Sequence, residues 1–94
     1  MIKSFSCKET EKIWNRQFSK VFPQEIQGAA KRKLNMIHAS SKPEDLTIPP
    51  SNQLKKYCGK KKLDKLSIRI NDQWRICFYF ENGHASDVEI VDYH

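Results

Sequence analysis

Ser67-Ile68-Arg69-Ile70-Asn71-Asp72-Gln73-Trp74-Arg75-Ile76-Cys77-Phe78 carries the clearest alternation of apolar and polar residues in the chain. Ile68 and Ile70 alternate with Ser67 and Arg69. Beyond Asn71-Asp72-Gln73, residues Trp74, Ile76, Phe78 and Phe80 alternate with Arg75, Cys77 and Tyr79. A period of two marks strands with one apolar face, so the stretch reads as a β-hairpin. Residues that face each other across a sheet must share a face, and this sets the register. A three-residue loop over Asn71-Asp72-Gln73 pairs Ile70 with Trp74 and Ile68 with Ile76, and it sets Arg69 opposite Arg75 on the solvent face of the sheet. A two-residue loop would put Ile68 against Arg75 and mix the faces.

Working outward, Val88 and Ile90 alternate with Asp87, Glu89 and Val91 and give a third strand. The Asn82-Gly83 dipeptide favours a two-residue type I′ turn. That turn alone would set Phe78 opposite Asp87. A three-residue loop Asn82-Gly83-His84, or a bulge, restores Phe78 opposite Val88 and Ile76 opposite Ile90 and places Tyr93 on the face of Arg69 and Arg75.

Towards the N-terminus, Ile2-Lys3-Ser4-Phe5 suits a short first strand. Ser6-Cys7-Lys8-Glu9 has the spacing of a capping box and predicts a helix to about Phe18, with Trp14 and Phe18 on one face. Pro23 fits the first turn of a second helix, and Glu25 favours the positive end of its dipole. Ile26, Ala30, Leu34 and Ile37 mark its buried stripe, with Lys31, Arg32 and Lys33 on or beside the polar face, and it ends near Ala39. Residues 43–53, with Pro43, Pro49 and Pro50, form a connecting loop with a tight turn at Pro43-Glu44-Asp45-Leu46. The expected fold is α+β, one domain over residues 1–94, with two N-terminal helices packed on one face of a small antiparallel sheet.

The chain has 94 residues, 38% hydrophobic and 11% aromatic, enough for one modest core and against disorder. Its net charge is +6, and Lys55–Lys65 holds six lysines and one aspartate, so most of the excess sits there. A basic domain of this size meets nucleic acid, an acidic protein, or both. The three cysteines, Cys7, Cys58 and Cys77, lack metal-ligand spacing and read as free thiols of a reducing cytoplasm. No apolar run approaches membrane-spanning length, and no Walker, Rossmann or metal motif is present.

Several side chains could carry chemistry. Arg69 opposite Arg75 is an unfavourable like-charge pair unless an anion binds there or each arginine pairs with Glu89 or Asp92. The lysines could track a nucleic-acid backbone or form a solvated loop. The strand Val88-Glu89-Ile90-Val91-Asp92-Tyr93-His94 gathers a carboxylate, a phenol and an imidazole near those cations, the acid–base groups that phosphodiester cleavage needs. Tyr93 can stack on a base, donate a proton or plug a gap in packing. A carboxylate at the chain end favours the protonated, acid-competent imidazole of His94. Asp92 has core-face parity and suits a structural bond to an arginine or a backbone amide. His38 and His84 read as ordinary surface residues.

The chain resembles the HigB branch of the RelE/ParE toxin superfamily over nearly its full length, nearest the subgroup that includes the GraT-type toxins. The resemblance rests on Ile2-Lys3-Ser4-Phe5, on Arg32-Lys33-Leu34, on Ser67 through Phe78, and on Val88 through His94. It implies a RelE-like fold and ribosome-dependent cleavage of messenger RNA without a metal or other cofactor. The 2′-hydroxyl would attack the adjacent phosphorus, leaving a 2′,3′-cyclic phosphate and a 5′-hydroxyl. Implied partners are the 70S ribosome with its mRNA and a HigA-type helix-turn-helix antitoxin, through which alone operator DNA is contacted.

By position, Arg75 matches the arginine that holds the scissile phosphate, and Asp92, Tyr93 and His94 match the functional C-terminal trio. Arg69 and the lysines Lys55, Lys56, Lys60, Lys61 and Lys62 suit substrate and ribosomal RNA contacts. Several HigB toxins carry a histidine where this chain has Lys55. Lysine is a poor base at pH 7, so the general base stays unassigned. A gyrase-binding toxin of the ParE type and a non-catalytic basic binding module are the alternatives, and the terminal Asp-Tyr-His argues against the first.

The lysine cluster should govern affinity more than chemistry. Replacing Lys60, Lys61 and Lys62 with glutamine should weaken ribosome binding and flatten its salt dependence by about three in the log–log slope at most. Binding titrations across a salt series check this, and an unchanged slope would mean a solvated loop.

Overall fold

The computed structural model describes residues 1–58 and 64–92. Helices α1 (Lys8–Trp14) and α2 (Gln24–Ala39) lead through two 3₁₀ turns, Pro43–Thr47 and Pro50–Asn52, into β1 (Lys55–Cys58), β2 (Asp64–Arg69), β3 (Trp74–Glu81) and β4 (His84–Asp92). The four strands form an antiparallel sheet in the order β1-β2-β3-β4. This is the expected α+β arrangement, with a strand more than the alternation predicted. β1 lies inside the stretch read as a lysine cluster, where lysines at both parities hid the period of two.

The helices pack on one face of the sheet. Ile26, Ala30, Leu34 and Ile37 of α2 are buried against Ile68, Ile76, Phe78, Val88 and Ile90. The first hairpin has the register that its alternation demanded, with Ile68 opposite Ile76 and Arg69 opposite Arg75. The second meets the same constraint by a bulge. Asn82 and Gly83 form a two-residue turn with φ of 52° and 79°, the dihedral signs of type I′. Glu81 therefore faces His84, so of the two expected solutions, a three-residue loop or a bulge, the chain adopts the bulge. The register then shifts between Cys77 and Tyr79, where Asp87 takes φ of 51°. The extra residue returns Val88 and Ile90 to the core and sets Ile76 opposite Ile90.

The N-terminal segment runs parallel to β4 as two isolated bridges, Ile2 with Ala85 and Phe5 with Val88. The capping box is corrected. Cys7 is the N-cap of α1 with no side-chain cap, because Ser6 Oγ instead donates to the Asp87 carbonyl and to Glu89. Glu9 is engaged by Ser19 Oγ and Lys12, which hold its carboxyl below the usual range, Lys12 foremost. α1 also ends early. Arg16 adopts φ of 62°, its N–H bonds the Ile13 carbonyl and the Gln17 N–H bonds the Lys12 carbonyl, a Schellman arrangement. Lys31 Nζ bonds the Trp14 carbonyl at 2.8 Å and lies 3.8 Å from the Trp14 ring centroid. Phe18 lies beyond this stop and is 61% exposed, so it does not share a buried face with Trp14.

Neither His38 nor His84 is an ordinary surface residue. Both are half-buried. His38 Nδ1 accepts the Ile2 N–H, and its ring packs 5.1 Å from Trp14. Burial, then Lys3 and the N-terminal amine, push the His84 pKa down. No helix among the described residues is long and apolar enough to cross a membrane.

A left-handed non-glycine residue carries a conformational penalty, and Arg16 also repels Lys31. Arg16→Gly should therefore stabilise the fold by about 1 kcal/mol. Urea unfolding monitored by circular dichroism checks the sign. A loss of stability would mean that the Arg16 side chain makes compensating contacts.

Candidate functional site

The face of the sheet away from the helices carries Ser67 and Arg69 on β2 and Arg75 and Cys77 on β3. The expected solvent face is corrected at Arg75, which is only 4% exposed because the segment ending at Gln53 covers it. Its guanidinium is built into the fold. Nε donates to Ser67 Oγ at 3.0 Å, and Nη2 donates to the Ser67 carbonyl at 3.2 Å and to the Gln53 carbonyl. Ser67 is itself fully buried and sits two residue pairs along the ladder from Arg75, on the same face. Gln53 takes a left-handed conformation, φ 44° and ψ 57°, at the end of the second 3₁₀ turn. That conformation turns its carbonyl towards the sheet.

Arg69 is the freer member of the pair. It bonds Asp72, whose side chain is almost wholly exposed in the hairpin loop. None of the described hydrogen bonds of these arginines is to Glu89 or Asp92. Glu89 takes Lys65 at 3.4 Å and Ser6, and Asp92 takes the Gln73 amide at 3.1 Å. The loop is stiffened by Asn71 Oδ1, which accepts the N–H groups of Gln73 and Trp74 at 2.9 and 2.8 Å.

An open polar cleft of about 280 Å³ follows from this packing, lined by Gln53, Lys55, Arg69, Asn71, Asp72 and Arg75. Among the described residues, three cations and one carboxylate line it, and that carboxylate is solvated and on a loop. An anion could displace Asp72 from Arg69 at little expense, since an exposed pair is worth under about 1 kcal/mol. Arg75 supplies a fixed charge at the floor, Arg69 and Lys55 adjustable ones at the rim.

The structure thus brings together Lys55, Arg69 and Arg75 of the residues that the sequence singled out. Lys56 projects to the other side of β1, beside Leu54, Leu66 and Phe80. Asp92 is exposed at the end of β4, opposite Trp74 as its parity required, and does not line the cleft. Lys60, Lys61, Lys62, Tyr93 and His94 lie outside the described residues. Sequence reasoning missed Gln53, Ser67, Asn71 and Asp72 as site residues. Ser67 was within reach, being the polar position two before Arg69 on the same face. Gln53 gave no signal, because its contribution is a backbone carbonyl. Cys77 is no nucleophile. Burial pushes its thiol up, and it stays protonated at neutral pH.

Comparison with known proteins adds to this geometry. The family described as the RelE-like toxin of type II toxin–antitoxin system HigB matches residues 3–94. The chain is 35% identical over 78 residues to Toxin HigB-1 of Vibrio cholerae, covering 77% of this chain and 81% of that protein. It is 36% identical over 66 residues to an uncharacterized protein of Haemophilus influenzae, covering 70% of this chain and 64% of the relative.

Ser67→Ala tests how Arg75 is held. It leaves a buried Nε–H without its acceptor and should cost about 1–3 kcal/mol of stability, read from the urea midpoint. A midpoint that does not move would show that the serine hydroxyl does not anchor the guanidinium.

Proposed function

From the premise that the chain belongs to the HigB-like RelE toxin family of type II toxin–antitoxin systems, we propose that it cleaves messenger RNA on the ribosome and so inhibits translation. Membership in such a system implies an antitoxin partner. The proposed one is a HigA-type helix-turn-helix protein, which also carries the only contact with operator DNA. The site of action is then the cytoplasm.

The observation that carries the reading is the convergence of Lys55, Arg69 and Arg75 on one polar cleft at the end of the sheet. In the proposed reaction the scissile phosphate lies in this cleft. The 2′-oxygen attacks phosphorus and loses its proton, the P–O5′ bond breaks, and the 5′-oxygen gains a proton. Negative charge grows on the non-bridging oxygens, and a fixed guanidinium stabilises it without reorganising. Arg75 fills that role because its orientation is set before substrate arrives. Arg69 exchanges Asp72 for phosphate and Lys55 extends the positive track, while Lys56, Lys60, Lys61 and Lys62 serve contacts with RNA outside the cleft.

The C-terminal residues supply the rest of the chemistry in this reading. Tyr93 stacks on a substrate base, His94 protonates the leaving oxygen, and Asp92, tethered by Gln73, orients the strand end. Ribosomal positioning of the mRNA supplies much of the acceleration, since orientation is worth up to ~7–11 kcal/mol.

Single-turnover assays on programmed ribosomes test this. Arg75→Ala should slow cleavage by about 10²–10³. Because Arg75 is buried, the variant should also lose stability, so it is assayed well below its urea midpoint. Deleting Tyr93 and His94 should leave ribosome binding near wild type while slowing cleavage by ~10²–10⁴ for the lost acid. Downstream fragments should carry 5′-hydroxyl ends. A truncation that cuts at the wild-type rate, or 5′-phosphate ends, would rule out the mechanism, and growth inhibition that survives the truncation would point to a binding toxin.

A further inference from the structure

We infer that Lys33 and Asn52 are positioning residues, a relay that fixes the Gln53 carbonyl and through it the Arg75 guanidinium; the inference rests on the reading of the cleft as the phosphate site. Lys33 lies on α2 and is not among the residues that line the cleft. Its Nζ donates to Asn52 Oδ1. Asn52 is fully buried, and its amide is used at both ends, because Nδ2 donates to the Leu46 carbonyl at 3.2 Å and contacts Met36 Sδ at 3.8 Å. An amide with both ends engaged has one orientation. The Asn52 N–H bonds the Pro49 carbonyl and the Gln53 N–H bonds the Pro50 carbonyl, each at 3.0 Å. The turn is therefore tied to α2, to the first 3₁₀ turn and to itself.

The residue that the relay holds is the strained one. A left-handed glutamine is uncommon and persists where its surroundings over-determine it. Here the surroundings are Asn52 on one side and Arg75 on the other. Lys33 is a poor choice if packing alone were at stake. Burial pushes its pKa down, and Arg32 and Arg69 push it further. A half-buried ammonium near two arginines opposes folding, whereas the same charge adds to the field that draws an anion into the cleft.

The test measures Arg75 directly. In ¹H–¹⁵N spectra the Arg75 Nε–H, bonded to Ser67, should give a dispersed, slowly exchanging peak, assigned by its loss in Arg75→Lys. Lys33→Met should move that peak and speed its exchange with water by about tenfold, while lowering kcat for mRNA cleavage by about tenfold with KM for programmed ribosomes near wild type. Lys33→Arg, which keeps the charge and the donor, should recover most of the rate and the peak position. Lys33→Gln replaces the methionine variant if urea melts show that Lys33→Met does not fold, with the same shift expected. An Arg75 peak that stays in place overturns the relay, as does a displaced peak with unchanged kcat. If the wild-type chain cuts no mRNA, the functional reading falls, and the Arg75 peak decides the relay by itself.

Discussion

A guanidinium that is removed from water must have its N–H groups met by acceptors, or its burial costs several kcal/mol. Arg75 is such a group, and much of the architecture can be read as the way its donors are met. β2 contributes both the hydroxyl and the carbonyl of Ser67, and the segment before β1 contributes the Gln53 carbonyl. These described acceptors are neutral oxygens, so they hold the guanidinium without adding a negative charge of their own. A carboxylate in the same place would hold the arginine more tightly and leave nothing for an incoming phosphate. The like charge on Arg69, directly opposite, follows the same logic, since its partner Asp72 is on an exposed loop and can be exchanged.

That arrangement depends on keeping the two faces of the sheet apart. One face is the apolar core under α2, the other carries the arginines. The first hairpin separates them by loop length alone. The second uses the tight Asn82-Gly83 turn that its sequence favours, then adds a bulge at Asp87. The turn and the register each had a strong local cause, and a one-residue insertion lets both hold. The helix stripe and both hairpin registers were legible in the sequence because burial acts on whole alternating sets of side chains. The end of α1 was not legible. Its stop is a left-handed Arg16, where the usual signal is glycine, and its start is a Cys7 without a capping side chain because Ser6 bonds β4 instead.

The candidate site was legible in its charges and hidden in its supports. Arg69 facing Arg75 follows from parity, and the excess of lysine near Lys55 is plain in composition. Parity says which face a side chain takes, but not whether something else covers that face. The placement of Arg75 in solvent was therefore wrong: a proline-rich connection that reads as a loop folds back over it. Lys33 likewise reads as one more cation on a polar helix face, and its bond to a buried asparagine 19 positions later has no local signature.

In the proposed reaction the 2′-oxygen of the mRNA is the nucleophile, and the cleft stabilises the phosphorane-like charge that results. The most direct test replaces the nucleotide 5′ of the cut with its 2′-deoxy form in mRNA on programmed ribosomes, under single-turnover conditions. No cleavage is expected at that bond, with binding unaffected. Cleavage at the normal rate would contradict it, because water or another group would then be attacking phosphorus.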